Sequence, residues 1–213
     1  MITKILEDNL DSISLAATAL IAGRLVAFPT ETVYGLGANA TKDDAVAGIF
    51  KAKSRPSFNP LIIHFKNILD VKMEVSWNDT AEVLAKTFWP GPITLILNRK
   101  TTSQISLLAS AGLETIAVRI PRHHIAQTLI EKSGFPIAAP SANESGLLSP
   151  TNAQHVMKSL HNRVTYILDG QATEIGLEST VIDLSREAPA ILRPGYITKE
   201  QIEKTIKHSV IEK

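Results

Sequence analysis

Short apolar runs alternate along the chain with longer stretches in which apolar residues recur every three or four positions. The short runs are bounded by polar, glycine or proline residues and predict β-strands, whereas the longer stretches predict amphipathic helices. The predicted strands cover residues 25–28, 61–65, 93–97, 115–120, 136–140, 165–168, 179–184 and 190–193. The predicted helices cover residues 15–22, 41–51, 80–88, 121–132, 151–160 and 198–207.

The ends of these elements carry their own signals. Gly23 follows the first helix and is expected to stop it, because glycine readily takes the left-handed conformation found after a helix. Thr41 is predicted as the N-cap of the second helix, with Asp43 and Asp44 in its first turn, where acidic side chains favour the helix dipole. Pro29 ends the first strand, since proline cannot donate to a strand ladder.

The interleaving of strands and helices predicts an α/β fold. The later strands follow one another too closely for a helix between every pair, so we expect an open, twisted sheet of mixed direction with flanking helices. No internal repeat or low-complexity segment interrupts the pattern. Residues 1–213 are therefore expected to form a single domain with a core over about residues 10–207.

Composition narrows the classes of protein. The 213 residues are 44% hydrophobic and 20% charged, as in ordinary globular proteins, and the formal net charge of +1 does not indicate a polyanion partner. The absence of cysteine excludes a disulfide framework, a thiolate nucleophile and a zinc–thiolate site. The N-terminal residues show no targeting segment and the apolar runs are too short to span a bilayer, so we expect a cytoplasmic protein.

Familiar catalytic motifs are missing from the sequence. It contains no P-loop, no complete dinucleotide fingerprint, no zinc-protease H-E-x-x-H and no G-x-S-x-G. The adjacent His123 and His124 would point about 100° apart on a helix and rarely share one metal ion. A metal site or nucleophile of a common type is therefore not predicted.

Polar segments instead follow the predicted strands, and strand ends are where open α/β sheets bind ligands. Lys53 and Arg55 lie in a cationic segment, and Arg119 and Arg193 each end a predicted strand. Each has a structural alternative, a helix-capping cation or an internal salt bridge, and the strand residue His64 is more typical of a core histidine. Together they indicate a site for a small phosphorylated or carboxylated molecule.

Several ordered motifs span most of the chain, from about Leu25 to Gly195: PTETVYGLG, KSRP, NPLIIHF, WPGPITLIL, AVRIP, PSANESG, STVID and ILRPG. In this set the chain resembles the YrdC/Sua5 family, the threonylcarbamoyl-AMP synthases. The resemblance implies a YrdC-like open twisted sheet around a large basic cavity. It also implies a nucleotidyltransferase that makes L-threonylcarbamoyl-adenylate from L-threonine, bicarbonate or CO₂ and ATP, with release of pyrophosphate. The product would serve a separate tRNA threonylcarbamoyltransferase machinery for the N6-threonylcarbamoyladenosine (t6A) modification at position 37.

The same resemblance implies a division of the site residues. Catalysis would rest on positioning and electrostatic stabilisation rather than on a nucleophile, and Mg²⁺ would arrive with ATP rather than bind a metal site of the protein. The implied catalytic residues are Lys53, Arg55, Ser141 and Asn143. The implied ATP-binding residues are Lys53, Arg55, Asn59, Thr115, Ser141, Asn143, Ser149 and Arg193, and the implied threonine-binding residues are Thr32, Tyr34, His64, Arg119 and Ser179.

Two other functions remain as alternatives. An RNA-binding module could use the same basic residues, but aromatic residues make up only 5% and no RNP-like motif occurs, so weak or no direct RNA binding is expected. A carbamoyl-transfer domain of hydrogenase-maturation type has a related fold, and the lack of cysteine argues against it. Longer Sua5-type members carry a linker and a C-terminal domain, so truncation before such a domain is a further expectation.

Overall fold

A mixed sheet of eleven strands organises the part of the chain that the structure, a computed structural model, describes, residues 2–212. The strands are β1 (Lys4–Leu6), β2 (Val26–Pro29), β3 (Tyr34–Asn39), β4 (Ile62–His64), β5 (Ile93–Asn98), β6 (Thr115–Arg119), β7 (Ile137–Ala138), β8 (Tyr166–Leu168), β9 (Thr180–Asp183), β10 (Ala190–Arg193) and β11 (Ile211–Glu212). Their order in the sheet is β1-β8-β2-β3-β7-β4-β6-β5-β9-β10-β11. Parallel and antiparallel pairs both occur, which confirms the predicted mixed α/β sheet.

Helices cover both faces of this sheet. They are α1 (Leu10–Ile21), α2 (Asp43–Lys53), α3 (Ile68–Glu74), α4 (Asp79–Phe88), α5 (His124–Ser133), α6 (Ala153–Leu160) and α7 (Lys199–Ile206). Alternation along β2 shows the two faces directly, because Val26 and Phe28 join one apolar cluster with α1 and α5, whereas Ala27 joins the larger cluster on the other side. Within residues 2–212, no helix is long and apolar enough to cross a membrane.

Side-chain caps explain several helix starts. Asn9, Asn67, Asn78 and Asn152 each accept a hydrogen bond from a main-chain N–H in the first turn, and Thr198 forms a capping box with Gln201. Gly23 has φ 74° directly after the first helix, in agreement with its predicted role as a stop.

The predicted cap at Thr41 is wrong. Helix α2 begins at Asp43 after Lys42, which makes no side-chain capping bond. Thr41 instead uses both its main-chain N–H and its hydroxyl to bond Asn39 Oδ1, at 2.9 and 2.8 Å. Asn39 thereby draws Thr41 into the turn that ends β3, and the first turn of α2 relies on its acidic residues.

The segment around Gly35 and Gly37 is strand β3, which was not among the predicted strands, and neither glycine has positive φ. A Cβ on Gly37 would lie 2.8 Å from the Phe28 ring and 3.0 Å from Ile137, so glycine is needed there for close packing. The short elements β1, α3 and β11 were also absent from the sequence prediction. Each has too few residues to show a period.

Candidate active site

A cavity of about 270 Å³ opens where β4, β6 and the β2–β3 turn meet β9 and β10. Strands β4 and β6 are parallel neighbours, and their register places His64 opposite Arg119. Eight of the predicted site residues line this cavity: Thr32, Tyr34, Arg55, His64, Arg119, Ser141, Ser179 and Arg193. Residues from sequence positions as distant as 32 and 193 therefore meet in one concave site.

Arg119 is held rigidly on one side of the cavity. Its Nη2 donates to Glu31 Oε1 at 2.7 Å and to Thr32 Oγ1 at 2.9 Å, while Nε donates to the Gly91 carbonyl at 3.3 Å. Glu31 is itself fixed through Oε2, which accepts the Arg122 main-chain N–H at 2.9 Å. Among the described groups, Nη1 of Arg119 has no hydrogen-bond partner, so it is the donor left for an anionic ligand.

His64 lies next to Arg119 and is almost completely buried. Burial and the neighbouring charge of Arg119 lower the pKa of His64 to about 3, so the imidazole is neutral at physiological pH. The edge of the ring packs against Phe28, with the ring centroids 6.2 Å apart. Its Nδ1 is fully buried and has no hydrogen-bond partner within residues 2–212.

Arg193 is another guanidinium on the cavity wall, and burial and the charge of Arg119 lower its pKa, against an opposing effect from Glu178. Its Nε and Nη2 donate to the Ser179 carbonyl at 3.1 and 2.9 Å, and Nη2 also donates to Ser179 Oγ at 3.0 Å. The remaining terminal nitrogen, Nη1, donates to Glu178 Oε2. Thr94 shares a hydrogen bond of 2.8 Å with Ser179 Oγ, so the serine hydroxyl is fixed from two sides.

Arg55 is anchored by the loop that follows it. Its Nε donates to the Asn59 carbonyl at 3.3 Å and its Nη2 to the Pro60 carbonyl at 3.1 Å. Burial and the charge of Arg193 lower the pKa of Arg55, against an opposing effect from Glu178, but an arginine remains protonated at neutral pH. Two guanidinium groups are thus held close to one carboxylate at the same end of the cavity.

Lys53 does not line the cavity, although it was predicted there. The side chain is buried, and its Nζ donates to the carbonyls of Ser141 and Asn143. Burial and the nearby charge of Arg55 lower the pKa of Lys53 to about 8, with Glu178 opposing the shift. Lys53 therefore fastens the loop that brings Ser141 to the cavity and lies behind that loop.

Four other predicted residues lie off the cavity wall. The amide nitrogen of Asn143 donates to the carbonyls of Glu144 and Leu147, within its own loop. Ser149 donates to Glu178 Oε1 at 2.5 Å, and Asn59 faces Arg55 with its carbonyl. Thr115 begins β6, two residues before the lining residue Ala117 on the same face of the strand.

Tyr34 lines the cavity, and its hydroxyl is engaged in hydrogen bonds to the main chain. The hydroxyl donates to the Gln171 carbonyl at 2.8 Å and accepts the Gly170 N–H at 3.1 Å. Burial raises the pKa of Tyr34 to about 12, so the phenol stays protonated. Its position favours a role in shaping the cavity wall.

Sequence reasoning missed the two carboxylates that organise the arginines. Glu31 and Glu178 lie in segments that were singled out, yet neither was predicted as a site residue. Burial raises the pKa of Glu178, but the charge of Arg193, hydrogen bonds from Ser149 and Ser141 and the charge of Lys53 outweigh it, so the pKa is lowered overall. The arginines at the ends of predicted strands could have indicated these carboxylates, because a buried arginine needs a nearby acid or a ligand.

Fold and site together define an α/β protein with a cationic, hydroxyl-lined cavity at the ends of its strands. A profile of the Sua5/YciO/YrdC family, described as telomere recombination, matches residues 18–195. The chain belongs to this family.

Similar proteins agree with this placement. The threonylcarbamoyl-AMP synthase of Pyrococcus abyssi is 52% identical over 197 residues, which are 91% of this chain and 57% of that protein. The Bacillus subtilis protein of the same name is 51% identical over 206 residues, which are 96% of this chain and 59% of its own length. The crystal structure of P. abyssi Sua5 complexed with L-threonine superposes with a TM-score of 0.93 at 47% identity, and covers 99% of this chain and 62% of that one. The chain thus spans a little under two thirds of the length of these relatives.

Proposed function

We propose that this chain is the catalytic part of an L-threonylcarbamoyl-adenylate synthase, a nucleotidyltransferase that uses ATP, L-threonine and bicarbonate or CO₂ and releases pyrophosphate. The observation that carries the proposal is the convergence of Arg55, Arg119 and Arg193 on one hydroxyl-lined cavity. Two separate anionic groups could be held there. The names of relatives about half identical in sequence support the same reaction.

The threonine-binding side would lie around Arg119. Its unpaired Nη1 would meet the amino-acid carboxylate, because the rest of the guanidinium is fixed by Glu31, Thr32 and Gly91. His64 and Ser179 line the same cavity, and we propose that their polar groups meet the substrate hydroxyl. The complex of P. abyssi Sua5 with L-threonine supports threonine as a ligand of this chain.

The nucleotide-binding side would lie around Arg55, Arg193 and Ser141, which also line the cavity. A cavity of about 270 Å³ is small for a whole nucleotide, so we propose that ATP extends across the mouth. There it would approach the predicted residues that lie off the wall. These are Asn59, Thr115, Asn143 and Ser149.

Catalysis would use position and charge. The carbamate formed from the threonine amine and CO₂ would attack the α-phosphorus with a carboxylate oxygen, and the bond to the bridging oxygen of pyrophosphate would break. Negative charge then accumulates on the leaving pyrophosphate, where Arg55 and the loop of Ser141 and Asn143, fastened by Lys53, would stabilise it.

Mg²⁺ would be held chiefly by the phosphates of ATP. No group of three or more His, Cys, Asp or Glu that could hold a metal occurs in residues 2–212, and Glu178 is the single carboxylate on the cavity wall. Mg²⁺ commonly binds phosphate oxygens, waters and only one or two carboxylates, so such a wall suits an ion that enters with its nucleotide.

The proposal also covers the domain organisation, the cellular location and the partners of the protein. We propose that residues 1–213 form one catalytic domain, that it acts in the cytoplasm and that a Sua5-type C-terminal domain would follow it in a longer protein. The adenylate would pass to the tRNA threonylcarbamoyltransferase machinery, because a mixed anhydride of this kind needs a transferase to reach tRNA. Direct RNA binding by this chain is expected to be weak or absent.

One incubation tests the proposed reaction. The protein is mixed with ATP, Mg²⁺, bicarbonate and L-threonine, and pyrophosphate and the adenylate are measured by coupled assay and mass spectrometry. We expect pyrophosphate release that requires both threonine and bicarbonate, with omission of each as the control. Formation of ADP and phosphate, or turnover without threonine, would contradict the proposal.

A further inference from the structure

The Glu178 carboxylate stands at the nucleotide side of the cavity, where a bound phosphate would experience repulsion from it. Its Oε2 accepts from Arg193 Nη1 and its Oε1 accepts from Ser149 Oγ. Apart from Glu178, the charged residues that line the cavity are arginines. The Glu178 carboxylate should therefore weaken anion binding in the cavity, and the proposed reaction gives no reason for it.

Arg193 does not depend on Glu178 for its position. The edge formed by Nε and Nη2 makes three hydrogen bonds to Ser179, and Ser179 is held by Thr94. Glu178 contacts only Nη1, the one terminal nitrogen that Ser179 leaves open. Removal of the Glu178 charge should therefore free a donor while the guanidinium stays in place.

Glu178 is also held firmly enough to compete with a bound anion for Arg193 Nη1. Ser149 holds the second carboxylate oxygen at 2.5 Å, and Gly195 packs against the Glu178 main chain so closely that a Cβ there would lie 2.6 Å from the Glu178 carbonyl. The lowered pKa of Glu178 keeps the group ionised at neutral pH. An anion that takes Nη1 would leave the carboxylate bonded to Ser149 and nearby.

We propose that Glu178 is an internal competitor for phosphate at Arg193, a residue that sets the affinity of the cavity for polyphosphate and favours the release of pyrophosphate. The inference rests on the proposed nucleotide role of this end of the cavity. In the ligand-free protein the carboxylate occupies the donor that a phosphate oxygen would take. After the reaction it recaptures that donor and weakens the hold on the leaving product.

The test measures inorganic pyrophosphate binding by titration calorimetry, without turnover. Glu178→Gln keeps the size of the side chain but loses the charge and one of the two acceptor oxygens, so its hold on Arg193 Nη1 weakens, and we expect it to bind pyrophosphate roughly 3- to 10-fold more tightly than the unaltered protein. Unchanged or weaker binding overturns the inference, since weaker binding is the result expected if Glu178 only positions Arg193.

Two further variants sharpen the test. Glu174→Gln removes the same charge from an exposed pair with Arg122 outside the cavity, and its pyrophosphate affinity should stay within about 2-fold of the unaltered protein. In an Arg193→Ala background, Glu178→Gln should tighten binding by less than about 2-fold. Tightening of full size in that background, or in Glu174→Gln, would assign the effect to general charge and overturn the inference.

The outcomes separate this inference from the proposed function. If the unaltered protein binds no pyrophosphate, the nucleotide assignment itself fails, and the inference fails with it. If it binds pyrophosphate and Glu178→Gln does not tighten binding, only the role of Glu178 is lost. Should Glu178→Gln not fold, Glu178→Asp withdraws the carboxylate by one methylene group, and binding no tighter than in the unaltered protein overturns the inference.

Discussion

The side chain of Arg55 combines a structural and a binding role in one group. Two of its nitrogens close the loop through the Asn59 and Pro60 carbonyls, and the following Pro56 restricts its backbone to extended conformations. Among the described groups, Nη1 has no hydrogen-bond partner, and Arg55 lines the cavity. A planar group held by two nitrogens presents the third in a fixed direction, which a lysine could not reproduce.

We predict that Arg55→Ala lowers kcat/KM by roughly 30- to 1000-fold, about 2–4 kcal/mol in the transition state, because a charge-assisted contact to the reacting phosphates is lost. Arg55→Lys should not restore activity. The measurement is kcat/KM beside the melting temperature, with Arg122→Ala as the control, since Arg122 is exposed and paired with exposed Glu174. Near-normal turnover of Arg55→Ala would remove Arg55 from the site.

The titration of Lys53 makes the stability of the folded protein depend on pH. Its pKa is about 8 in the folded protein, against an ordinary value of 10.5 in the unfolded chain. Below about pH 8 both states bind the proton. Between pH 8 and 10.5 the unfolded chain binds more, so this group makes the folded state more stable as the pH rises.

We predict that the free energy of unfolding, measured by urea denaturation, rises from pH 8 to 10 relative to that of Lys53→Met, which lacks the titrating group. Pyrophosphate affinity should fall over the same interval, because the ammonium charge behind the Ser141 loop is lost. Parallel curves for the two proteins would show that Lys53 does not titrate in this range.

Among the elements, the β9–β10 hairpin carries the densest part of the site. Glu178 and Ser179 lie just before β9, Arg193 ends β10, and the pairing register shifts between Ile191 and Arg193. This shift and the turn after β10 bring Arg193 back onto the Ser179 carbonyl. Gly195 completes the turn by packing directly on the main chain that enters β9.

We predict that Gly195→Ala costs about 2–4 kcal/mol of stability and weakens pyrophosphate binding, because the added Cβ would lie 2.4 Å from the Thr180 nitrogen. Gly112→Ala is the matched control. Gly112 has φ 74° but open space around its Cβ position, so alanine there should cost only about 1 kcal/mol and leave binding unchanged. Equal effects in urea unfolding would contradict the packing argument.

The elements also show what the sequence could and could not predict. Strands such as β5 and β6 were predicted because their apolar runs are long and clearly bounded. Strand β3 was not predicted, because glycine interrupts its apolar run and the close packing of Gly37 on Phe28 is visible only in the fold. His64 and Arg119 could be placed at strand ends, but nothing local indicates that β4 and β6 are neighbours. The sequence could identify Lys53 as a cation that follows a helix. It could not show that Lys53 donates to the carbonyls of Ser141 and Asn143, which are 88 and 90 residues away.

In the whole molecule, the sheet edge at β1 lies two strands away from β2, where the cavity begins. Strand β1 extends the sheet beyond β8, with Thr3 Oγ1 bonded to the Val164 carbonyl at 2.6 Å, and the cavity begins only where β2 ends. Stability and ligand binding should therefore be separable at this edge.

We predict that deletion of residues 1–7 lowers the free energy of unfolding by about 1–3 kcal/mol while pyrophosphate affinity stays within about 2-fold. The lost contacts are the β1–β8 pairing and the bond from the Asp169 N–H to the Leu6 carbonyl. Calorimetry and urea unfolding on the same protein measure both quantities. A parallel loss of binding would show that the edge and the cavity are coupled.

The strand order also has a consequence for synthesis on the ribosome. Interior strands β2 and β5 obtain their second partners only from β8 and β9, which are translated late. At ordinary rates of translation, the interval between completion of β5 and of β9 is roughly 4 to 17 s. Throughout that interval the nascent chain carries an apolar strand with one unpaired edge, the condition under which chaperones capture emerging polypeptides and neighbouring nascent chains aggregate.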